Sequence, residues 1–145
     1  MKGRKPDAGT VVPFKGDARK HVPDAPEFMS DNARKVWDEL AGQLVAKDRL
    51  EPHHLHMFAG YCESVSNFID ATHCLAMEGL YYETQTRNGK QQKKTAPWGL
   101  QQEALSQMQR IGALFGMSPV DEKRLGATGQ GDLFGEVLDA LNGKG

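Results

Sequence analysis

Histidine and cysteine are the residues of this sequence best suited to chemistry, because both ligate metals and cysteine can act as a nucleophile. Those that fall within one region of the chain are His53, His54, His56, Cys62, His73 and Cys74. No cysteine or carboxylate stands at ligand spacing beside the first histidines, whereas zinc needs about four convergent ligands. The two cysteines would lie about 18 Å apart along one helix, too far for a disulfide. We therefore expect no metal site and no cofactor.

Motifs for catalysis are also missing from the sequence. It contains no Gly-x-x-x-x-Gly-Lys loop that would cradle phosphates and no Gly-x-Ser-x-Gly nucleophile elbow. We therefore predict that the protein is not an enzyme.

Basic side chains are concentrated in two segments of a chain whose formal net charge is −1. One is an N-terminal arm, 1–28, and the other is the segment 80–95, which has four basic residues and one carboxylate. Such segments can contact the phosphates of a polyanion, although they could also be a solvated tail and loop. We expect sequence-tolerant, salt-sensitive DNA binding through Lys2, Arg4, Lys5, Lys15, Arg87, Lys90, Lys93 and Lys94.

A long apolar-striped stretch, 51–79, is predicted to form the central helix. Its apolar arc approaches half the circumference, whereas one helical partner covers roughly 100°. The helix therefore needs more than one neighbour, and part of the cover could come from another copy of the protein. The side chains that we assign to this oligomer interface are Met57, Tyr61, Phe68 and Leu75.

Further helices are predicted on both sides of the central one. Ser30 is a suitable N-cap for a helix through about residue 47, with Trp37 in its buried stripe. Pro97 begins a helix to about residue 115, which we expect to pack antiparallel to the central helix. Its apolar face would include Leu100 and Ala104. Ser118-Pro119 begins a short helix through 125.

A β-hairpin is predicted between the central helix and the Pro97 helix. The run after Gly79 is rich in tyrosine and threonine, which favour strands. Asn88-Gly89 suits a type I′ turn, in which both central residues have positive φ. We therefore expect a two-stranded basic hairpin, within 80–96, that projects from a helical body.

The predicted fold is mainly α: an antiparallel helical hairpin with a long central helix, a small β-hairpin insertion, and flexible N- and C-terminal tails. We divide the chain into a basic arm, 1–28, a helical oligomerisation and DNA-binding core, 29–125, and a linker with a docking segment, 126–145. No apolar run is long enough to span a membrane, and the N-terminus is too polar for a signal peptide. The docking segment could bind a partner or fold back, through Leu133, Phe134, Val137, Leu138 and Leu141.

The order of short motifs adds a family resemblance over residues 1–125. The motifs are Gly3-Arg4-Lys5-Pro6, Pro23-Asp24-Ala25-Pro26, Trp37, Tyr61-Cys62-Glu63, Gly79-Leu80-Tyr81, Asn88-Gly89, the Pro97-led helix ending in Leu114-Phe115-Gly116-Met117-Ser118-Pro119, and Arg124-Leu125. This ordered set resembles the small terminase subunits of tailed bacteriophages, in the branch with a Gly-Arg-Lys-Pro arm.

The resemblance implies a non-enzymatic DNA-recognition subunit of a genome-packaging motor. Such a subunit forms a homo-oligomeric ring in the host cytoplasm and binds double-stranded viral DNA. It passes the DNA to a large terminase subunit with ATPase and nuclease activity. The docking segment would then bind that large subunit. The segment from Gln130 to Phe134 is also similar to the Q-x-x-L-F peptides that bind bacterial sliding clamps.

The alternative from another class is a small transcriptional regulator with a helix-turn-helix at about 30–60. A regulator normally carries base-reading side chains at the start of the second helix. Here that helix begins Pro52-His53-His54-Leu55-His56, without Arg, Lys, Asn or Gln. This composition favours the packaging subunit.

Overall fold

The computed structural model describes residues 20–127, 141 and 143. Its elements follow the order α1 (Asp31–Ala46), a 3-10 turn (Pro52–His54), α2 (Leu55–Glu78), β1 (Tyr81–Thr86), β2 (Gly89–Lys94) and α3 (Ala96–Leu114). Residues 119–127 are also helical. The prediction of a mainly α fold with an inserted β-hairpin is confirmed.

Helix α1 begins where Ser30 supplies its N-cap. The Ser30 hydroxyl accepts a hydrogen bond from the Ala33 amide at 3.4 Å. The Glu63 carboxylate of α2 in turn accepts from the Ser30 amide at 2.7 Å and from the Ser30 hydroxyl at 2.9 Å. A carboxylate at a helix N-terminus is favourable because the free amides there carry partial positive charge. This contact fastens the start of α1 to the middle of α2.

The core lies where the three helices meet. Trp37 of α1 and Phe58 and Cys62 of α2 are the largest side chains that are fully buried. The Trp37 and Phe58 rings are 4.7 Å apart between centroids, and Phe115, just after α3, lies 5.7 Å from Phe58. Burial of aromatic rings makes this cluster the main apolar contribution to stability.

Helix α3 runs antiparallel to α2, as predicted. At one end of the pair, the Gln101 amide donates to the Thr72 hydroxyl at 2.9 Å. At the other end, Tyr61 lies against Gly112, where an added Cβ would be only 3.3 Å from the tyrosine ring. Gly112 therefore allows the close approach of the two helices.

The end of α3 is held by a side chain from the turn between α1 and α2. Gly116 has φ +69°, a backbone conformation that favours glycine. Arg49 donates to the carbonyl groups of Phe115 at 3.4 Å and Gly116 at 3.5 Å. The helical segment 119–127 follows, and its Glu122 forms an ion pair with Lys47 of the same turn.

Residues 20–28, at the end of the predicted arm, contact the helical body. The Trp37 indole N–H donates to the Pro23 carbonyl at 3.0 Å, and Lys20 forms an ion pair with Asp48. Leu100, on the predicted apolar face of α3, is 58% exposed and lines the open groove between α2 and α3.

Among the described residues, no helix is both long enough and apolar enough to cross a lipid bilayer.

Candidate nucleic-acid interface

The β-hairpin carries four of the residues that the sequence predicts to bind DNA. Its strands pair antiparallel, with Tyr81 opposite Lys94, Gln85 opposite Lys90 and Thr86 opposite Gly89. Gly89 has φ +106°, and the Thr86 hydroxyl donates to the Gly89 carbonyl at 2.8 Å across the turn. The strand pairing of Thr86 with Gly89 makes Arg87 and Asn88 the central residues of the turn, and of these four residues only Gly89 has positive φ. The predicted type I′ turn centred on Asn88-Gly89 is therefore wrong by one residue, although the chain reverses in the predicted region.

The base of the hairpin is fastened to both long helices by Thr95. Its hydroxyl donates to the carbonyl of Gly79, the C-cap residue of α2, at 2.7 Å. Its amide donates to the Leu80 carbonyl at 3.0 Å, which extends the ladder by one hydrogen bond. Thr95 is also the N-cap residue of α3 and is buried. This residue therefore fixes where the hairpin leaves the helical body.

A second contact at the base joins the hairpin to α3. The Lys94 ammonium lies 3.9 Å from the centroid of the Trp98 ring. A cation over an indole face is attracted by the negative charge of the ring face. Lys94 therefore helps to orient the hairpin, while its charge stays at the surface.

The register distributes the hairpin side chains over two faces, because directly paired residues of antiparallel strands point to the same side. One face has Tyr81, Glu83, Gln85, Lys90, Gln92 and Lys94, and the other has Tyr82, Thr84, Thr86, Gln91 and Lys93. Arg87 lies in the turn. The basic residues are thus divided, with two on the first face, one on the second and one at the tip.

Exposure separates the hairpin from the rest of the described chain. Residues 81–94 are all exposed except three that are half-buried: Thr84, Thr86 and Gly89. Neither face of the hairpin is therefore covered by the helices. Four basic residues and one carboxylate on such a projection make a surface that suits phosphate groups.

The other predicted DNA-binding residues cannot be placed beside the hairpin. Lys2, Arg4, Lys5 and Lys15 lie outside the described residues. Their role stays a prediction.

The four residues assigned to an oligomer interface have unequal surroundings. Met57 is half exposed, whereas Tyr61, Phe68 and Leu75 are half-buried. Tyr61 stacks on Phe58 with 6.3 Å between ring centroids and lies against Gly112, so its ring is used largely within the chain. Burial raises the pKa of the Tyr61 hydroxyl. The interface itself stays a prediction.

An open groove of about 460 Å³ runs between α2 and α3. Small residues such as Ala71 and Ala104 form its floor, and the exposed Leu100 stands at its side. This groove was not predicted from the sequence, because helical periodicity shows which residues are apolar but not how far two helices separate.

The docking segment is almost entirely outside the described residues, which applies to Leu133, Phe134, Val137 and Leu138. Leu141 is described. It is helical and 77% exposed.

Two of the histidines considered as metal ligands, His54 and His56, make contacts within the chain. His54 accepts a hydrogen bond from the Glu51 amide at 3.1 Å, and His56 stacks on Phe28 with 6.1 Å between ring centroids. Within the part of the chain that the structure describes, no three histidine, cysteine or acidic side chains converge on a metal position.

Both cysteines are free thiols. Burial, with a smaller effect of the Glu63 charge, raises the pKa of the Cys62 thiol to about 12. A thiol with so high a pKa is a poor nucleophile at neutral pH.

Sequence reasoning missed two residues of the hairpin site, Thr95 and Trp98. A lysine at the end of the predicted second strand, followed by a tryptophan in the first turn of the next helix, is a signal that could have identified the cation–π contact. No comparable signal exists for the hydrogen bond from Thr95 to Gly79, because it joins residues 16 positions apart.

The chain was compared with protein families, with curated proteins and with solved structures. No curated protein and no solved structure matches this chain. Residues 33–132 match the family described as phage terminase, small subunit. The match covers more than half of the chain, including α1, α2, the β-hairpin and α3. The chain therefore belongs to the phage terminase small-subunit family.

Proposed function

We propose that this protein is the DNA-recognition subunit of a phage genome-packaging motor. The observation that carries the proposal is the basic β-hairpin, which projects from the helical body with both faces uncovered. Duplex DNA presents closely spaced phosphates, and binding to lysine and arginine releases counterions. In this proposal Arg87, Lys90 and Lys93 contact the DNA directly, Arg87 and Lys93 through its phosphates, and Lys94 adds charge at the hairpin base. The basic arm with Lys2, Arg4, Lys5 and Lys15 adds further contacts.

The proposed role is non-enzymatic and is carried out in the cytoplasm of the host cell. Hydrolysis of ATP and cleavage of DNA belong to the large terminase subunit, which the small subunit recruits or regulates. The segment 126–145 docks on that subunit through its apolar side chains, as an amphipathic helix in a groove. The exposure of Leu141 agrees with this proposal. Capture of the large subunit by the full chain, and not by a chain ending at residue 129, tests it.

The proposed assembly is a closed homo-oligomeric ring. Heterologous contacts between identical subunits close into rings when the rotation allows it. The half-exposed Met57 and the groove between α2 and α3 leave apolar surface for a neighbouring subunit. A ring would place many weakly binding hairpins on one DNA molecule, which raises the total affinity through avidity.

The test of DNA binding compares two variants with equal change in charge. The first is Arg87→Ala, Lys90→Ala, Lys93→Ala in the hairpin, and the control is Lys35→Ala, Arg110→Ala, Lys123→Ala on exposed helical positions. Affinity for duplex DNA is measured over a range of salt concentrations. The slope of log affinity against log salt should fall by roughly one for each side chain that no longer binds a phosphate. The hairpin variant should show lower affinity and a smaller slope, and the control should keep both at the wild-type values.

Equal affinity and equal slope for the hairpin variant and the control would contradict the role of the hairpin.

Native mass spectrometry of the same wild-type preparation separates the proposal from its alternative, a helix-turn-helix regulator. A ring has many copies of the chain, whereas such regulators usually bind as dimers.

A further inference from the structure

One face of the hairpin has a composition that phosphate binding alone does not explain. Four neighbouring side chains on it, Glu83, Gln85, Lys90 and Gln92, are all exposed. We call them the reading face. The register pairs Glu83 with Gln92 and Gln85 with Lys90, so the four form a compact square. Phosphate binding requires only cations, yet three of these four residues are amides or a carboxylate.

The reading face is free to meet a ligand. Within the described part of the chain, none of its four side chains has a hydrogen-bond or ion-pair partner. The opposite face is less available, because Thr84 and Thr86 are half-buried and the Thr86 hydroxyl is already bonded to the Gly89 carbonyl. The four side chains of the reading face are all polar or charged, and Tyr81, at the base of the same hairpin face, is the aromatic residue beside them.

The dimensions of the hairpin fit a groove of duplex DNA. Each strand has six residues and is therefore about 20 Å long. The major groove of B-DNA is about 12 Å wide and 8.5 Å deep, which admits a two-stranded β-ribbon. Thr95 and the Lys94–Trp98 contact hold the base of the ribbon against the helices. The rest of the ribbon, which carries the reading face, is therefore free to enter the major groove.

The chemistry of the reading face matches the edges of bases in that groove. Glutamine pairs with N6 and N7 of adenine, lysine donates to O6 and N7 of guanine, and glutamate accepts from N4 of cytosine. Arg87 at the tip and Lys93 on the opposite face remain for the phosphates that flank the groove.

We propose that the hairpin reads DNA sequence by inserting the reading face into the major groove, with Gln85 and Gln92 as the main specificity-determining residues. This inference rests on the proposed DNA-binding function and goes beyond it. The basic residues alone predict sequence-tolerant binding, whereas the reading face assigns a preference for particular base pairs.

The first test selects preferred sequences with the full-length wild-type protein. The probe is a pool of duplexes whose central helical turn, about ten base pairs, is randomised. Affinity for the enriched duplex is then compared with affinity for the unselected pool. The reading-face variant is Gln85→Ala, Gln92→Ala, and the matched control from the opposite face is Thr84→Ala, Gln91→Ala. Circular dichroism of both variants checks that they fold.

Wild type should prefer the enriched duplex, and in the reading-face variant that preference should fall by at least about tenfold. Each bidentate contact with a base discriminates by roughly 5- to 150-fold. The control should keep the wild-type preference. A second measurement uses wild-type protein alone, with an enriched duplex in which 7-deazapurines replace the purines. These bases lack the N7 acceptor of the major groove, so the preference should fall.

The remaining outcomes overturn the inference, and they are distinguishable. Binding without any enriched sequence leaves the proposed function intact and removes the reading role. A preference that the reading-face variant keeps assigns the reading to another element. A change in assembly mass caused by that variant indicates that the face contacts another copy of the chain. Failure of wild type to bind any duplex removes the proposed function as well.

Discussion

The helical core buries its largest side chains completely, whereas the β-hairpin exposes nearly every side chain that it carries. Trp37 and Phe58 are at most 1% exposed and in contact with each other. Tyr81 and Tyr82 are more than half exposed, although they are the most apolar residues of the two strands. Two regions of one short chain thus use aromatic residues in opposite ways.

The helical core stabilises the protein, whereas the β-hairpin is the region that is available to a partner. A two-stranded hairpin alone is marginally stable in water, and this one has no cover on either face. It depends on its turn at Arg87-Asn88-Gly89 and on the contacts at its base, Thr95 with Gly79 and Lys94 with Trp98. The helical core therefore supports the hairpin, and substitutions in the hairpin should affect DNA binding far more than the global free energy of unfolding.

Removal of the Trp37 ring should give the largest effect on stability. Trp37→Ala would leave a cavity beside Phe58 and remove the hydrogen bond to the Pro23 carbonyl. The free energy of unfolding should fall by about 3–5 kcal/mol, the usual cost of deleting a buried aromatic ring. Chemical denaturation measures this change. Lys93→Ala in the hairpin serves as the control and should leave the unfolding midpoint unchanged. A similar destabilisation of both variants would contradict the separation of core and hairpin.

Two glycines with positive φ, one in the helical body and one in the hairpin, share a backbone requirement but have different surroundings. At Gly116, φ +69°, an added Cβ would lie 2.6 Å from the Arg49 guanidinium and 2.9 Å from Leu125. At Gly89, φ +106°, nothing lies within 4 Å. Alanine at a left-handed position costs about 1–2 kcal/mol.

Gly116→Ala should lower the global free energy of unfolding by at least that amount, since Arg49 must also move away from the carbonyl groups that it binds. Gly89→Ala should strain only the turn. Its effect on the global transition should stay within about 0.5 kcal/mol, while hydrogen exchange of the hairpin amides becomes faster. An equal shift of the midpoint for both variants would indicate that the hairpin unfolds together with the core.

The secondary structure could be predicted because its signals are local. Ser30 caps α1 as predicted, Pro97 lies in the first turn of α3, and the hairpin turns at Arg87-Asn88, one residue before the predicted pair. Each of these depends on the preferences of a few consecutive residues. The antiparallel packing of α2 and α3 follows because the two strands of the hairpin pair and return the chain to the end of α2, where the Thr95 amide donates to the Leu80 carbonyl.

The contacts that position the candidate site were not predictable in the same way. Glu63 reaches Ser30 across 33 residues, and Arg49 reaches Phe115 across 66. Leu100 lies on the predicted apolar face of α3 yet is 58% exposed, because a helical wheel shows an apolar face but not its rotation against α2. The division of the hairpin lysines between two faces required the strand register, which follows only once the turn residues are known.

A small effect on stability is expected for the ion pair between Lys47 and Glu122, which joins the helical segment 119–127 to the turn between α1 and α2. A hydrogen bond and charge from Lys47, with a smaller effect of Arg49, hold the pKa of the Glu122 carboxyl below its usual value. A depressed pKa means that the folded state favours the ionised carboxylate. Its contribution to stability is therefore present above the ordinary range of a glutamate, about 4.3, and is lost as the pH falls through the lower folded-state pKa.

Glu122→Gln should accordingly lower the melting temperature slightly at about pH 7, and the two proteins should converge as the pH falls below the folded-state pKa of the Glu122 carboxyl, where both side chains are neutral. The difference at neutral pH should also shrink in about 1 M salt, because the pair is at the surface and a Debye length of about 3 Å screens it. Thermal melts of wild type and variant at each pH and salt concentration measure both trends. A difference that grows as the pH falls would have the opposite sign and would show that Glu122 stabilises the segment through its protonated form.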